Sequence, residues 1–293
     1  MVTMRVPPRL RGKVVAGGVL ALACGVVAAL AAVWLHPGPV RHPRSQCPAP
    51  GFFVGTEEPS DATALGHQLG VAPKVLAIYA GAPNWTSFKP SYIPATNMQL
   101  ALAVGRISRA EAQRIGAELV NAGQAHAIIR IMWEMNGNWF PWGTESLTAS
   151  QYIRAFRAIE LGFAAVPGQH FDFVWNLNAG SGGSNEFATY PGDAYVSNIG
   201  IDWYAKNGDS GAPASTIPPI LAFAAAHHKP LSFDEWGVDG LANAGNYIAY
   251  VGGLVHNPAN RFSFQIYFDN ASSRITRYPG DLAAYRQAFS GAC

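Results

Sequence analysis

Two glutamates stand at the ends of apolar segments, and together they could carry out hydrolytic chemistry. Glu134 follows the apolar run 127–132, and Glu235 follows the apolar run 231–233. Only 18 residues of the chain are acidic, so carboxyl groups at two such positions indicate a function. Two carboxyls that face one cleft can divide into a proton donor and a nucleophile, as glycoside hydrolysis requires. Each glutamate could instead pair with a buried cation, for which Arg130 is the obvious candidate.

Aromatic and amide side chains cluster at or just after the ends of the apolar runs. The C–H face of a sugar packs well on an aromatic ring, although any of these rings could equally belong to the core. The candidates for aromatic sugar contacts are Trp133, Trp139, Trp142, Trp175, Trp236 and Tyr267. Asn176 and Asn178 could hydrogen-bond a sugar hydroxyl or simply cap their own loop. Asn136 is a further candidate for an amide contact with the sugar.

Eight short apolar runs alternate with helical patterns, and this predicts parallel strands covered on both faces. The runs are 52–55, 75–79, 98–104, 127–132, 171–176, 199–204, 231–233 and 262–267. Eight βα units in about 240 residues predict a (β/α)8 TIM barrel, with a doubly wound open sheet as the alternative. Active sites of such barrels lie at the carboxyl ends of the strands. Strand alternation would place Arg130, Met132 and Glu134 on one face, so that Glu134 points into the mouth.

The segment 130–143, RIMWEMNGNWFPWG, resembles the acid/base signature of glycoside hydrolase family 26, which contains many β-mannanases. The stretches YPGDAYV (190–196) and IGIDWY (199–204) are also similar to that family, and the resemblance extends over residues 51–290. It implies a barrel with catalytic glutamates after strands four and seven. Glu134 would then be the acid/base and Glu235 the nucleophile.

The same resemblance implies roles for three further residues. Tyr204 would hydrogen-bond the nucleophile, Asp202 would line the same subsite, and Trp139 would stack on a sugar. The sequence departs from the family where Trp133 replaces a histidine, where strand three lacks a histidine, and where the pair 267–268 (Tyr-Phe) replaces Trp-Arg. These departures affect the sugar pocket, so the reaction type is better supported than β-mannan as the substrate.

Composition and spacing argue against several other classes of function. The net charge is only +2 and no basic stripe occurs, which argues against nucleic acid as a partner. The glycine-rich stretch 180–183 lacks dinucleotide-binding spacing, and no Cys or His cluster has zinc spacing. We therefore expect no cofactor and no metal. The stretch 207–213 superficially resembles a serine-protease loop, but a parallel βα pattern is the wrong scaffold.

The amino-terminal part of the sequence predicts attachment to a membrane. After a basic tail (1–13), an uncharged segment of 22 residues begins at Val14 and ends at Leu35, long enough to cross a bilayer as a single transmembrane helix. A cleaved signal and a lipidated cysteine are the alternatives. A proline-rich linker (36–50) and the catalytic domain (51–293) follow, the latter outside the cytoplasm. Cys47 and Cys293 would form a disulfide there.

Taken together, the sequence predicts a monomeric, retaining endo-glycoside hydrolase that acts on a cell-wall or extracellular polysaccharide of β-mannan or β-glucan type. The enzyme would be membrane-anchored, or secreted if the amino-terminal segment is cleaved. Two alternatives stay open: a non-catalytic carbohydrate-binding barrel, and a transglycosylase on another cell-wall glycan.

Overall fold

Eight parallel strands close into a barrel in chain order, which confirms the predicted (β/α)8 architecture. The computed structural model describes residues 47–55, 58–79, 89–180, 186–205, 215 and 217–290. The strands are β1 (Ala49–Phe53), β2 (Val75–Tyr79), β3 (Gln99–Val104), β4 (Ile128–Ile131), β5 (Asp172–Asn178), β6 (Asn198–Tyr204), β7 (Leu231–Gly237) and β8 (Phe262–Phe268). β8 pairs in parallel with β1, and this pairing closes the sheet without a free edge.

Helices cover the outside of the barrel. In the described part of the chain they are α1 (Pro59–Leu69), α2 (Arg109–Asn121), α3 (Ala149–Ala164), α4 (Ile217–Ala226), α5 (Gly245–His256) and α6 (Pro279–Phe289). The connections after β2 and β5 contain short 3-10 helices instead, Pro90–Tyr92 and Glu186–Thr189.

Side-chain caps stabilise the starts of α2 and α3. The Ser108 hydroxyl accepts a hydrogen bond from the backbone N–H of Glu111, three residues into the first turn. Thr148 and Gln151 form a complete capping box at the start of α3. Such caps satisfy backbone donors that a helix leaves unpaired at its amino terminus.

Two apolar layers hold the barrel together. Inside the barrel a small cluster fills the amino-terminal half, and it consists of Val75, Ala77, Ala101, Ile128, Val174, Phe264 and Ile266. A larger core lies between the strands and the surrounding helices. The apolar interior cluster leaves the carboxyl ends of the strands for polar side chains, and this is where both glutamates lie.

Most of what was predicted for the chain termini falls on residues that the structure does not describe. The transmembrane segment at 14–35 lies outside the described residues, and none of the described helices is both long and apolar enough to span a membrane. Cys47 is the one cysteine among the described residues. Cys293 lies outside the described residues, so its pairing with Cys47 stays a prediction.

Candidate active site

Glu134 lies just beyond β4, at the mouth of the barrel. β4 ends at Ile131, and both Met132 and Glu134 adopt left-handed backbone conformations, with φ of 45° and 51°. The N–H of Glu134 donates to the carbonyl of Asn176 on the neighbouring strand, at 2.9 Å. Glu134 therefore reaches the mouth through a tight turn tied to β5, and not through the continued strand alternation that the sequence suggested. Residues other than glycine rarely adopt this conformation without support from their surroundings.

Two side chains donate hydrogen bonds to the carboxyl group of Glu134. The indole N–H of Trp139 lies 2.6 Å from Oε2, and the amide of Asn178 lies 2.5 Å from Oε1. Burial, followed by the negative charge of Glu235, raises the pKa of Glu134 to about 7, against the lowering effect of its two donors and of Arg130. A carboxyl group with this pKa is protonated in a large fraction of molecules near neutral pH, as a general acid must be.

Glu235 lies on β7 and receives three hydrogen bonds. Tyr79 and Arg130 both donate to Oε1, at 2.5 and 2.8 Å, and Tyr204 donates to Oε2 at 2.6 Å. The hydrogen bond from Tyr204, implied by the family resemblance, is confirmed. An arginine and two phenols hold the charged form of a carboxylate. Glu235 is thus suited to act as an anion, while Glu134 is suited to act as an acid.

Arg130 is the buried centre of the site. Its guanidinium contacts three carboxylates: Asp202 at 2.9 Å, Glu235 at 2.8 Å and Asp234 at 3.6 Å. It also donates two hydrogen bonds to the side-chain oxygen of Asn176. The sequence analysis weighed a buried pair with Arg130 as the alternative to catalysis for each glutamate. The structure shows this pair for Glu235, where it orients the carboxylate without removing it from the mouth.

The two aspartates of this cluster are fully buried. Burial raises the pKa of Asp234 to about 6, and it raises the pKa of Asp202 well above its ordinary value. One carboxylate oxygen of each has no hydrogen-bond partner among the described residues. In both aspartates the effect of burial outweighs the lowering effect of the Arg130 charge on the pKa.

A bulge in β7 brings Asp234 and Glu235 to the same cation. Between Phe233 and Trp236 the strand contains one residue more than its neighbour β8, and the register with β6 shifts at the same place. In a regular strand, consecutive side chains point to opposite faces. The extra residue allows both acidic side chains to contact Arg130.

A cleft of about 340 Å³ opens beside Glu134, and its lining includes Tyr204, which donates to Glu235. It is lined by Glu134, Trp139, Asn178, Gly180, Tyr204, Asp239, Phe268, Asn270, Ala271, Ser272 and Ser273. Trp139 is 47% exposed, the only large apolar side chain of the described residues to be exposed. A Cβ atom at Gly137 would lie 2.4 Å from the Trp139 ring, so this glycine lets the ring fold back over the turn. The exposed ring is therefore available for the sugar stacking that was predicted.

The prediction that Trp175, Trp236 and Tyr267 contact the substrate is wrong, because strand alternation turns these side chains away from the cleft. Trp175, Trp236 and Tyr267 are each 0% exposed. Trp175 packs on Tyr190, while Trp236 packs on Tyr267 and on a tyrosine of α6. Each of the three is adjacent in sequence to a residue that faces the barrel interior or the cleft, and so it faces the helical layer.

Trp133 and Trp142 are also buried, at 2% and 1% exposure, so the prediction that they contact substrate is wrong as well. The indole N–H of Trp142 donates to the backbone carbonyl of Trp133, and both rings pack against Phe140. These rings form a rigid support beneath the turn that carries Glu134.

Asn136, Asn176 and Asp202 support the site instead of lining the cleft. The amide of Asn136 makes two hydrogen bonds to the backbone of Asn178, at 2.8 and 2.9 Å. Asn176 and Asp202 are fully buried and bound to Arg130. Their predicted contact with substrate is therefore corrected to the positioning of Arg130 and of the Asn178 backbone.

The roles of Tyr79 and Asp234 were not predicted from the sequence, and Asn178 was predicted either to reach a sugar or to close its own loop. Tyr79 is the last residue of β2, so its position at a strand end was the available signal. Asn178 has the same signal at the end of β5. Asp234 gave no usable signal, since it reaches Arg130 only through the bulge.

Comparison with known proteins agrees with this geometry. Residues 96–220 match the model of glycosyl hydrolase family 26. Endoglucanase H of Acetivibrio thermocellus is 28% identical over 176 residues, which cover 55% of this chain and 20% of that protein. A mannan endo-1,4-beta-mannosidase of Bacillus subtilis is 24% identical over 180 residues, covering 59% of this chain and 46% of that protein. The chain thus spans less than half the length of these two relatives.

Solved structures show the same fold. An endo-beta-1,4-mannanase double mutant of Cellulomonas fimi aligns with a TM-score of 0.58 at 18% identity, covering 84% of this chain and 71% of that one. GH26C from a Muricauda species aligns with a TM-score of 0.59 at 14% identity, covering 88% and 87%. The matched family model includes the turn that carries Glu134, and the barrel places Glu235 three strands further round. The expected resemblance to glycoside hydrolase family 26 is thus confirmed over residues 96–220.

Proposed function

We propose that this protein is a retaining endo-glycoside hydrolase that cleaves a β-1,4-linked polysaccharide of mannan or glucan type. The observation that carries the proposal is the unequal environment of the two glutamates. Glu134 is buried and has a pKa raised to about 7, whereas Glu235 receives three donors, one of them a guanidinium. A proton donor and an ionised nucleophile beside one cleft are the two groups that double displacement requires.

The reaction proceeds in two steps. Glu235 attacks the anomeric carbon while the glycosidic C–O bond breaks, and the leaving oxygen takes the proton of Glu134. A water molecule then attacks the anomeric carbon, gives its proton to Glu134, and releases Glu235 as a carboxylate. Trp139 can stack on a sugar beside Glu134, because its indole N–H is bound to that carboxyl while much of its ring stays exposed.

The choice of substrate rests on the relatives. The similar proteins are a mannan endo-1,4-beta-mannosidase and an endoglucanase, so linear mannan, glucomannan and mixed-linkage β-glucan are the substrates to test. We propose further that the enzyme acts at the cell wall, held by the apolar segment 14–35. A transglycosylase would use the same two glutamates and transfer the sugar to another glycan.

The test is a product analysis with the full-length chain. We expect linear β-mannan, glucomannan or mixed-linkage β-glucan to yield a range of oligosaccharides early in the reaction, with the anomeric configuration of the new end retained by NMR. Glu235→Ala serves as the inactive control. Inversion would contradict the mechanism, and products longer than the substrate would indicate transglycosylation. Binding of the same glycans by the wild-type chain without cleavage would support a carbohydrate-binding barrel instead.

A further inference from the structure

Tyr79 links the buried cation to the candidate nucleophile. It is the last residue of β2, and its hydroxyl lies 3.1 Å from Nη1 of Arg130 and 2.5 Å from Oε1 of Glu235. Arginine only donates hydrogen bonds and a carboxylate only accepts them. The phenol therefore accepts from Arg130 and directs its single proton to Glu235.

The aromatic ring of Tyr79 is fixed by its neighbours. Phe53, Trp133 and Phe268 contact it edge to face, with centroid distances of 5.0, 5.6 and 6.4 Å. The Arg130 guanidinium lies 5.8 Å from the centre of the ring. Because the ring is held on several sides, the direction of its hydroxyl is set before any substrate binds. Burial and the Glu235 charge also raise the pKa of Tyr79 above its ordinary value, which keeps the phenol a donor.

The two oxygens of Glu235 are consequently not equivalent. Oε1 accepts from both Arg130 and Tyr79, whereas Oε2 accepts from Tyr204. Arg130 is fully buried, while Tyr204 lines the cleft. Oε2 is thus the oxygen on the side of the cleft, and among the described residues it has fewer donors than Oε1.

We propose that Tyr79 is a positioning residue that, together with Arg130, holds Oε1 of Glu235 as the non-reacting oxygen and leaves Oε2 to form the glycosyl–enzyme bond. This assignment rests on the proposed function. In the first step Oε2 bonds to the anomeric carbon, and Oε1 becomes the carbonyl oxygen of the ester. In the second step the bond from Oε2 to carbon breaks, and its electron pair returns to the carboxylate, where the two oxygens share the charge.

The role predicts an asymmetric effect on the two steps. Donors on Oε1 stabilise the charge that returns to the carboxylate when the ester is hydrolysed. In the first step the same donors stabilise the starting carboxylate more than the transition state, in which its charge is being lost. Loss of the Tyr79 hydroxyl should therefore slow the second step and leave the first step at least as fast.

A first experiment measures the contact without a substrate. We would determine urea unfolding of the full chain for wild type, Tyr79→Phe, Glu235→Gln and the double variant. If the hydrogen bond is present, the change in unfolding constant for the double variant differs from the product of the single changes by about tenfold. Tyr250→Phe, which lies away from the site, should show no coupling with Glu235→Gln. Absence of coupling for Tyr79 would overturn the assignment.

A second experiment follows release of dinitrophenol from 2,4-dinitrophenyl β-mannobioside and β-cellobioside. Tyr79→Phe should release about one equivalent at a rate constant no lower than that of wild type, and then turn over about tenfold more slowly. Tyr250→Phe should behave like wild type in both phases. A slower first phase in Tyr79→Phe would mean that Tyr79 merely holds the structure, and would overturn the assignment. A wild-type chain that cleaves neither glycoside nor any polysaccharide would contradict the proposed function, and with it the assignment of Oε2, while the measured coupling would stand.

Discussion

Glu134 and Glu235 carry different duties in the proposed mechanism, and substitution should separate them. Glu235→Ala removes the nucleophile, so turnover of every substrate should be lost. Glu134→Ala removes the proton donor, so cleavage of a polysaccharide, whose leaving oxygen must be protonated, should fall about 10²–10⁴-fold. An activated aryl glycoside needs no proton, so its first step should be nearly unaffected.

Azide provides the matching control for these variants. The small anion can attack the glycosyl enzyme without a base, so it should restore turnover of the aryl glycoside by Glu134→Ala and form a glycosyl azide with retained configuration. Steady-state rates with and without azide, with NMR of the product, check this. Equal losses on good and poor leaving groups, without rescue, would show that Glu134 has another role.

Because the pKa of Glu134 is only about 7, activity should be limited at alkaline pH. Because the acid must be protonated, kcat/KM should fall as the pH rises through about 7. Asn178 donates to the ionised form, so its removal should raise the pKa of Glu134 further. In Asn178→Ala the alkaline limb should therefore move to higher pH. Asn138→Ala is the control, since Asn138 is exposed and donates to Glu145. A limb that stays fixed, or moves to lower pH, would contradict the assignment of the alkaline limb to Glu134.

At the scale of residues, the location of the two glutamates could be predicted from the sequence, whereas several of the supporting groups could not. Glu134, Glu235 and Tyr204 lie where the pattern and the family resemblance put them. Trp236 was misplaced, although Glu235 immediately before it already faces the mouth, and strand alternation would have assigned that tryptophan to the outer layer. The Asn178 contact depends on a turn whose backbone dihedrals no local pattern reveals.

At the scale of elements, the bulge in β7 requires space on the neighbouring strand β6. A Cβ atom at Gly200 would lie 2.2 Å from Oδ2 of Asp234 and 2.7 Å from the side chain of Val174. We expect Gly200→Ala to lower the free energy of unfolding by about 1–3 kcal/mol, as overpacking of a close-packed interior does.

Urea unfolding of two glycine variants checks this prediction. A Cβ at Gly253, on the helix α5, would meet no atom within 4 Å, so Gly253→Ala should stabilise the protein by about 0.5–1 kcal/mol through helix propensity. If Gly200→Ala were as stable as wild type, Asp234 would not be held against β6 as described. The bulge itself could not be foreseen, because an extra residue in a strand appears only when the register of both neighbours is known.

At the scale of the whole molecule, the alternation of apolar runs with capped helices was sufficient to predict a closed barrel. The 3-10 turns after β2 and β5 were not predicted, because such short connections carry no helical periodicity. Neither the sequence pattern nor the barrel fold identifies the substrate. The choice of substrate depends on the walls of the cleft, which include Phe268 and residues 270–273. The chemistry of the two glutamates is suited to many glycans and does not determine this choice.

The disulfide predicted for Cys47 would connect distant parts of the chain. We expect its partner to be Cys293, so that a non-reducing digest should yield one peptide containing both cysteines. Cys47→Ser should lower the free energy of unfolding by about 2–4 kcal/mol, while Cys24→Ser should leave it unchanged. A digest that links Cys47 to Cys24 would contradict the predicted pairing.

Because the ring of Trp139 is exposed, the intrinsic fluorescence of the protein can report the binding of a glycan. Of the six tryptophans that the structure describes, the other five are at most 3% exposed, so dissolved iodide can quench Trp139 but not those. A glycan stacked on the ring would shield it from iodide. The difference in quenching between the wild-type chain and Trp139→Phe gives the contribution of Trp139 alone. Libraries of glycans could then be ranked by emission alone, with the inactive Glu235→Ala chain, before a single bond is cleaved.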